Sequence, residues 1–257
     1  MTDLDAEHYR NNSSTQYTLA HEILSTINFK GTETILDVGC GEGKITAELS
    51  KCVPQGKVIG IDPSSSMIDL ANQSFPKREY PNLEFKKVAA EKVEYQLSVD
   101  IALIMNTLHW IRDPLTALRN LTAALKPGGM LFILTYPKES PYWQFLEATV
   151  QEMEWAPYRE LSAFRTIHTS QEYMNMLTKM GLKIDQYSLD EEIAVYPTHD
   201  ALSNYVKGWL NCYIPLPKEY ENAFLKKAVN SAFSFSLSSS RLEIHLPYSK
   251  LSIKALK

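Results

Sequence analysis

Asp37, Gly39, Gly41 and Gly43 lie at alternate positions within residues 35–46, Ile-Leu-Asp-Val-Gly-Cys-Gly-Glu-Gly-Lys-Ile-Thr. Glycines spaced in this way let the backbone take positive φ and let a ligand approach the main chain closely. A helical pattern starts near Lys44. The unpaired amides of a helix start favour acceptor atoms and negative charge. In outline this is a nucleotide or nucleoside site. A dinucleotide fingerprint, G-x-G-x-x-G, would need glycine where Lys44 or Thr46 stands. A P-loop, G-x-x-x-x-G-K-[ST], would need glycine at position 44 or 46, so it fails as well. A second carboxylate, Asp62, ends the short apolar run Val58-Ile59-Gly60-Ile61. It can accept from the two vicinal hydroxyls of a ribose. It can equally cap a helix beginning at Pro63, a role open to Ser64 or Ser65 too.

These residues need a frame, and the chain alternates strand and helix signals at α/β spacing. Strands are expected near 33–38, 57–61, 83–87, 99–105 and 129–135, with helices near 43–52, 64–74 and 113–125. Lys126-Pro127-Gly128-Gly129 should stop the last of these helices. Residues 183–195 and 242–255 read as terminal antiparallel strands, the second with period-two alternation at Leu242-Glu243-Ile244-His245-Leu246. The expected fold is a seven-stranded, mainly parallel α/β sheet with helices on both faces. In such a sheet ligands bind outside the carboxyl ends of the strands, at the topological switch point. Asp62 would then stand beside the glycine loop.

The pattern D-x-G-x-G-x-G at 37–43 resembles motif I of the class I S-adenosylmethionine-dependent methyltransferases. The stretch Val99-Asp100-Ile101-Ala102-Leu103-Ile104-Met105-Asn106-Thr107-Leu108-His109-Trp110 and the turn Leu125-Lys126-Pro127-Gly128-Gly129 resemble later landmarks of that Rossmann-like fold. Leu108-His109-Trp110 and Trp155-Ala156-Pro157-Tyr158 are similar to the small-molecule carboxyl methyltransferases of the trans-aconitate and juvenile hormone acid type. The Tyr9-x6-Gln16 spacing is similar to the latter. The resemblance implies S-adenosylmethionine as methyl donor, leaving S-adenosylhomocysteine. It implies contacts to it from Asp37, Gly39, Cys40, Gly41, Gly43, Asp62, Pro63, Met67, Ala89, Ala90, Glu91 and Asn106. Many relatives carry an aspartate for the adenine amino group where this chain has Ala89. Adenine would then meet backbone groups of Ala89 and Ala90, or Glu91.

The implied acceptor is the carboxylate of a small organic acid. It is already ionised at neutral pH and needs no general base. Gln16 and the Trp110 indole N–H are candidate neutral donors to it. A phenol or amine acceptor would need a base, and His109 is the candidate. Each has a plainer reading: Gln16 as a solvent-facing helix residue, Trp110 as core, His109 as a packed histidine. The cofactor core is expected over 30–135, within one domain spanning 1–257. Helical insertions at 137–169 and 197–235 would form a lid, supplying Tyr142, Trp143, Trp155, Tyr205 and Trp209 among other aromatics. Arg159 and Arg165 could bind a second, non-reacting carboxylate of the acceptor or the phosphate of an acyl-carrier-bound acid; the plainer reading is that they are surface residues.

Composition bounds these readings. Charged residues are 22% of 257 and the net charge is −4, which gives no basic field for nucleic acid. No apolar run is long enough for a membrane span, and the acidic start is unlike a signal peptide. Cys40, Cys52 and Cys212 are scattered without metal-ligand spacing, and no metal is expected. A cytoplasmic monomer or weak homodimer is the expectation. A nucleotide-dependent oxidoreductase and a non-catalytic cofactor-binding protein are the readings from other classes.

Overall fold

The computed structural model describes residues 6–7, 10, 14–94, 98–238 and 242–257; for 14–16 it describes the backbone alone. A helix, α1 (Ser14–Leu24), leads into seven strands: β1 (Thr34–Val38), β2 (Lys57–Asp62), β3 (Leu83–Lys87), β4 (Val99–Met105), β5 (Leu125–Thr135), β6 (Lys183–Tyr196) and β7 (Ile244–Leu256). They form one sheet in the order β3-β2-β1-β4-β5-β7-β6. All run parallel except β7, which lies antiparallel between β5 and β6. The crossover direction reverses between β1 and β4, so their carboxyl ends open a crevice.

Helices α2 (Lys44–Cys52), α3 (Ser65–Ser74), α4 (Pro114–Ala124) and α6 (Ser170–Lys179) cover the sheet. Their starts follow local rules. Asp113 accepts from the Thr116 N–H with Pro114 at the first position, and Thr169 and Glu172 form a reciprocal capping box. Strand side chains alternate between faces. Leu36, Val38, Ile104 and Ile133 enter one core with α4 and α6. Ile35, Val58, Leu103 and Phe132 enter another with α1 and α2.

A third core forms where helices of the insertions pack on the end of the β6–β7 pair. Helices α5 (Trp143–Val150), α7 (His199–Lys207), α8 (Leu210–Tyr213) and α9 (Lys218–Phe235) pack together with Ile244, Leu246 and Tyr248 of β7. Short 3-10 turns at Met153–Leu161 and Ala163–Arg165 join them. Both aromatic-rich insertions therefore share one apolar cluster. Among the described residues no helix is long and apolar enough to cross a membrane.

One boundary differs from expectation. Strand β5 starts at Leu125, not at 129, with a register shift opposite Val99 and Ile101. The Gly128 N–H donates to the Lys257 carbonyl at 2.9 Å, and the Lys257 N–H donates to Gly129 at 3.0 Å. Pairing with the far end of the chain draws the Pro-Gly-Gly turn into the sheet, overriding local turn propensity.

Candidate functional site

The loop after β1 is tied to β2 by the Gly39 and Cys40 N–H groups, which donate to the Ile61 carbonyl at 2.8 and 3.0 Å. Gly39 has φ +74°, and a Cβ there would lie 2.2 Å from the Thr107 hydroxyl oxygen. Only glycine lets the ends of β1 and β4 approach so closely. Gly41 has φ +52° and faces open space. Gly43 departs from the expected ligand contact. A Cβ there would strike the Phe85 ring at 2.5 Å, and the residue borders none of the site cavities. Its glycine serves packing at the start of α2.

Asp62 sits across from the loop. Its Oδ2 accepts from the Gly41 N–H at 3.1 Å and its Oδ1 from the Ser64 N–H at 2.9 Å. Helix α3 is capped by Ser64, whose hydroxyl accepts from the Met67 N–H at 3.3 Å. Of the residues that could cap this helix, Ser64 does so, and Asp62 instead bridges the glycine loop and the start of the following turn.

Three cavities meet at this end of the sheet. The first, about 110 Å³, is walled by Asp62, Pro63, Met67, Ala89, Ala90 and Glu91. The second, about 70 Å³, is walled by Tyr17, Asp37, Gly39, Cys40, Gly41 and Lys44. The third, about 50 Å³, is lined by His109, Trp110, Tyr136, Tyr142, Trp143, Ala194, Tyr196, Tyr205, Trp209 and Tyr248. Asn106 borders all three. It carries φ +55°, the one positive φ outside glycine among the described residues, in the left-handed region that asparagine tolerates. The Tyr136 hydroxyl donates to its Oδ1 at 3.1 Å, orienting the amide.

Electrostatics differ between cavities. Burial pushes the Asp37 carboxyl up to about 6; the Thr46 hydroxyl, donating at 2.7 Å, opposes that rise and the Asp62 charge adds to it. Burial also raises the thiols, Cys40 well above its usual value and Cys212, which borders the first cavity, to about 12. Neither is a nucleophile at neutral pH. In the third cavity burial pushes His109 down to about 3, and its Nδ1 lies 3.0 Å from the Thr135 hydroxyl. Burial thus holds His109 as a neutral imidazole, which weighs against a role as general base. The Tyr142 and Tyr196 hydroxyls are 3.0 Å apart, and burial holds both phenols well above their ordinary range. The Trp143 N–H is committed to the Pro137 carbonyl at 3.0 Å. Among the described residues no Lys, Arg, Asp or Glu lines this cavity.

Trp110 borders both the first and third cavities. Gln16 lies on α1; its side chain, and Tyr9, fall outside the described residues. The adjacent Tyr17 reaches the second cavity, with Lys44 Nζ 3.7 Å from its ring centroid. Trp155 is fully buried against Phe224 rather than at the site. Arg159 donates to the Val150 and Gln151 carbonyls, Arg165 pairs with Glu160, and neither lines these cavities. Sequence reasoning passed over Tyr136, Ala194, Tyr196 and Tyr248, whose strand-end positions look like ordinary sheet residues.

A sheet in this order, with a glycine loop after β1 and an acid ending β2, defines a class I S-adenosylmethionine-dependent methyltransferase. Residues 29–181 match the methyltransferase domain family, and the chain belongs to it. It is similar to trans-aconitate 2-methyltransferase of Variovorax paradoxus (strain S110), at 26% identity over 94% of this chain and 95% of that one. It is also similar to juvenile hormone acid O-methyltransferase of Drosophila melanogaster, at 24% identity over 84% of this chain and 77% of the other. Among solved structures, a SAM-dependent methyltransferase from Aquifex aeolicus aligns with TM-score 0.55 and 25% identity, covering 72% of this chain and 92% of that one. The protein is an S-adenosylmethionine-dependent methyltransferase, and the first two cavities carry groups chemically suited to such a donor: an open glycine face, a carboxylate able to accept from hydroxyls and a buried acid.

Proposed function

We propose that this enzyme methylates the carboxylate of a small organic acid whose body is apolar and otherwise uncharged. The observation that carries the reading is the meeting at Asn106 of the two cavities beside the glycine loop and Asp62 with an aromatic cavity that no described Lys, Arg, Asp or Glu lines. Bound S-adenosylmethionine supplies an electrophilic methyl group. In this reading Asp62 accepts from the ribose hydroxyls. Ala89, Ala90 and Glu91 border the adenine, and Asp37 with the 39–41 backbone takes the methionyl end. The acceptor oxygen's electron pair forms the C–O bond as the C–S bond breaks and its pair goes to sulfur. No proton has to leave, in keeping with a neutral His109. The Trp110 indole, the Gln16 amide and the wall phenols orient the carboxylate as neutral donors. The aromatic cap over 137–169 and 197–235 positions the acceptor and excludes water. A second carboxylate would lie against that wall without a cation, at a cost of several kcal/mol.

The test is an acid panel with isotope-labelled donor, read by mass spectrometry: branched aliphatic and aryl monoacids, a tricarboxylate, and primary amines. Methyl esters of monoacids are expected. Gln16→Ala should cut kcat by about tenfold or more while leaving donor affinity unchanged. Faster turnover of the tricarboxylate, or an N-methylated amine as main product, would overturn the assignment.

A further inference from the structure

The sulfur of the donor carries three carbon substituents: an adenosyl group, a methionyl chain and the methyl that leaves. Three cavities meet at Asn106, one suited to each direction, so the sulfur belongs at their common wall. Trp110 and Trp209 border both the first and the third cavities. Their rings are 5.5 Å apart and inclined by 33°. Trp209 comes from the turn between α7 and α8, is 6% exposed, and is held by Tyr142 and Tyr205. The faces of indole rings attract cations, and more strongly where water is excluded. The donor is a sulfonium cation before transfer, and the product is a neutral thioether.

We infer that Trp209, with Trp110, forms an aromatic wall that holds the charged donor in preference to the neutral product, so that methyl transfer itself weakens the enzyme's grip. This rests on the cavity assignment above. It makes Trp209 a residue for cofactor discrimination supplied by the cap.

Calorimetric titration with S-adenosylmethionine and S-adenosylhomocysteine tests it without turnover. Trp209→Leu should raise Kd for the sulfonium about three- to tenfold and leave Kd for the thioether within twofold. Trp209→Phe should restore part of the difference. Asp62→Ala should weaken both ligands alike, because both carry the ribose. Trp110→Leu, on the other side of the wall, gives the same reading if the Trp209 variant does not fold. Equal shifts for the two ligands, or an unchanged ratio, would overturn the inference. Failure of either ligand to bind the unaltered protein would instead overturn the cavity assignment beneath it.

Discussion

Asp37 is a buried carboxyl at the wall of the second cavity, where fold stability and the proposed donor contact meet. Its folded pKa, about 6, lies above the ordinary aspartate value, so the folded state holds the proton more tightly than the unfolded chain. Its contribution to stability is present below about pH 4 and is lost as pH rises from 4 to 6. Denaturant titrations should show that slope, and Asp37→Asn should remove it. A cationic methionyl end would favour the ionised carboxylate, so donor affinity should fall by up to about tenfold per unit below pH 6. A flat affinity profile from pH 5 to 7 would mean that Asp37 faces no ligand charge. Asp37, Gly39, Gly41 and Asp62 were legible because backbone conformation and carboxylate chemistry restrict their types. For Gly43 the type alone is ambiguous, because a glycine required by the Phe85 ring looks the same in sequence as one required by a ligand. His109 was legible in place but not in charge, since its burial depends on Trp110, Tyr136 and Trp143 packing around it.

At the scale of elements, the cap depends on α9 against α5. Phe224 is fully buried there, edge-on to Trp155 at 5.1 Å. Phe224→Ala should cost about 3–5 kcal/mol in urea unfolding. It should change donor affinity no more than Trp209→Leu does, because the remaining donor contacts proposed above come from the ends of β1, β2 and β4. A loss below about 1 kcal/mol would show that the cap does not rest on this contact. Strand periods and glycine stops placed all seven strands to within a few residues. They could not show that Ala194, Tyr196 and Tyr248 converge on the third cavity, because β6 and β7 reach it only through non-local antiparallel pairing. The extension of β5 to Leu125 has the same origin.

Across the whole molecule, three cores share one sheet, and the donor cavities draw on the ends of several strands together with Trp209 and Cys212 of the cap. A ligand bound only by the folded state stabilises all of it. At a hundredfold excess over Kd, S-adenosylmethionine should add about 2.7 kcal/mol and raise the thermal midpoint. NADH should leave the midpoint unmoved; an equal rise with NADH would contradict the donor assignment.

Strand β7 is last of the seven in chain order yet lies between β5 and β6. During synthesis the ribosome releases β1 to β5 first, and they can pair in turn as they emerge. The β6 ribbon then has no neighbour in the sheet until β7 is made and threads in beside it. Because β7 brings Tyr248 to the aromatic cavity, the cavity proposed for the acceptor is the last to be finished. A nascent chain stalled before residue 244 would carry its glycine loop and Asp62 but lack a complete acceptor wall.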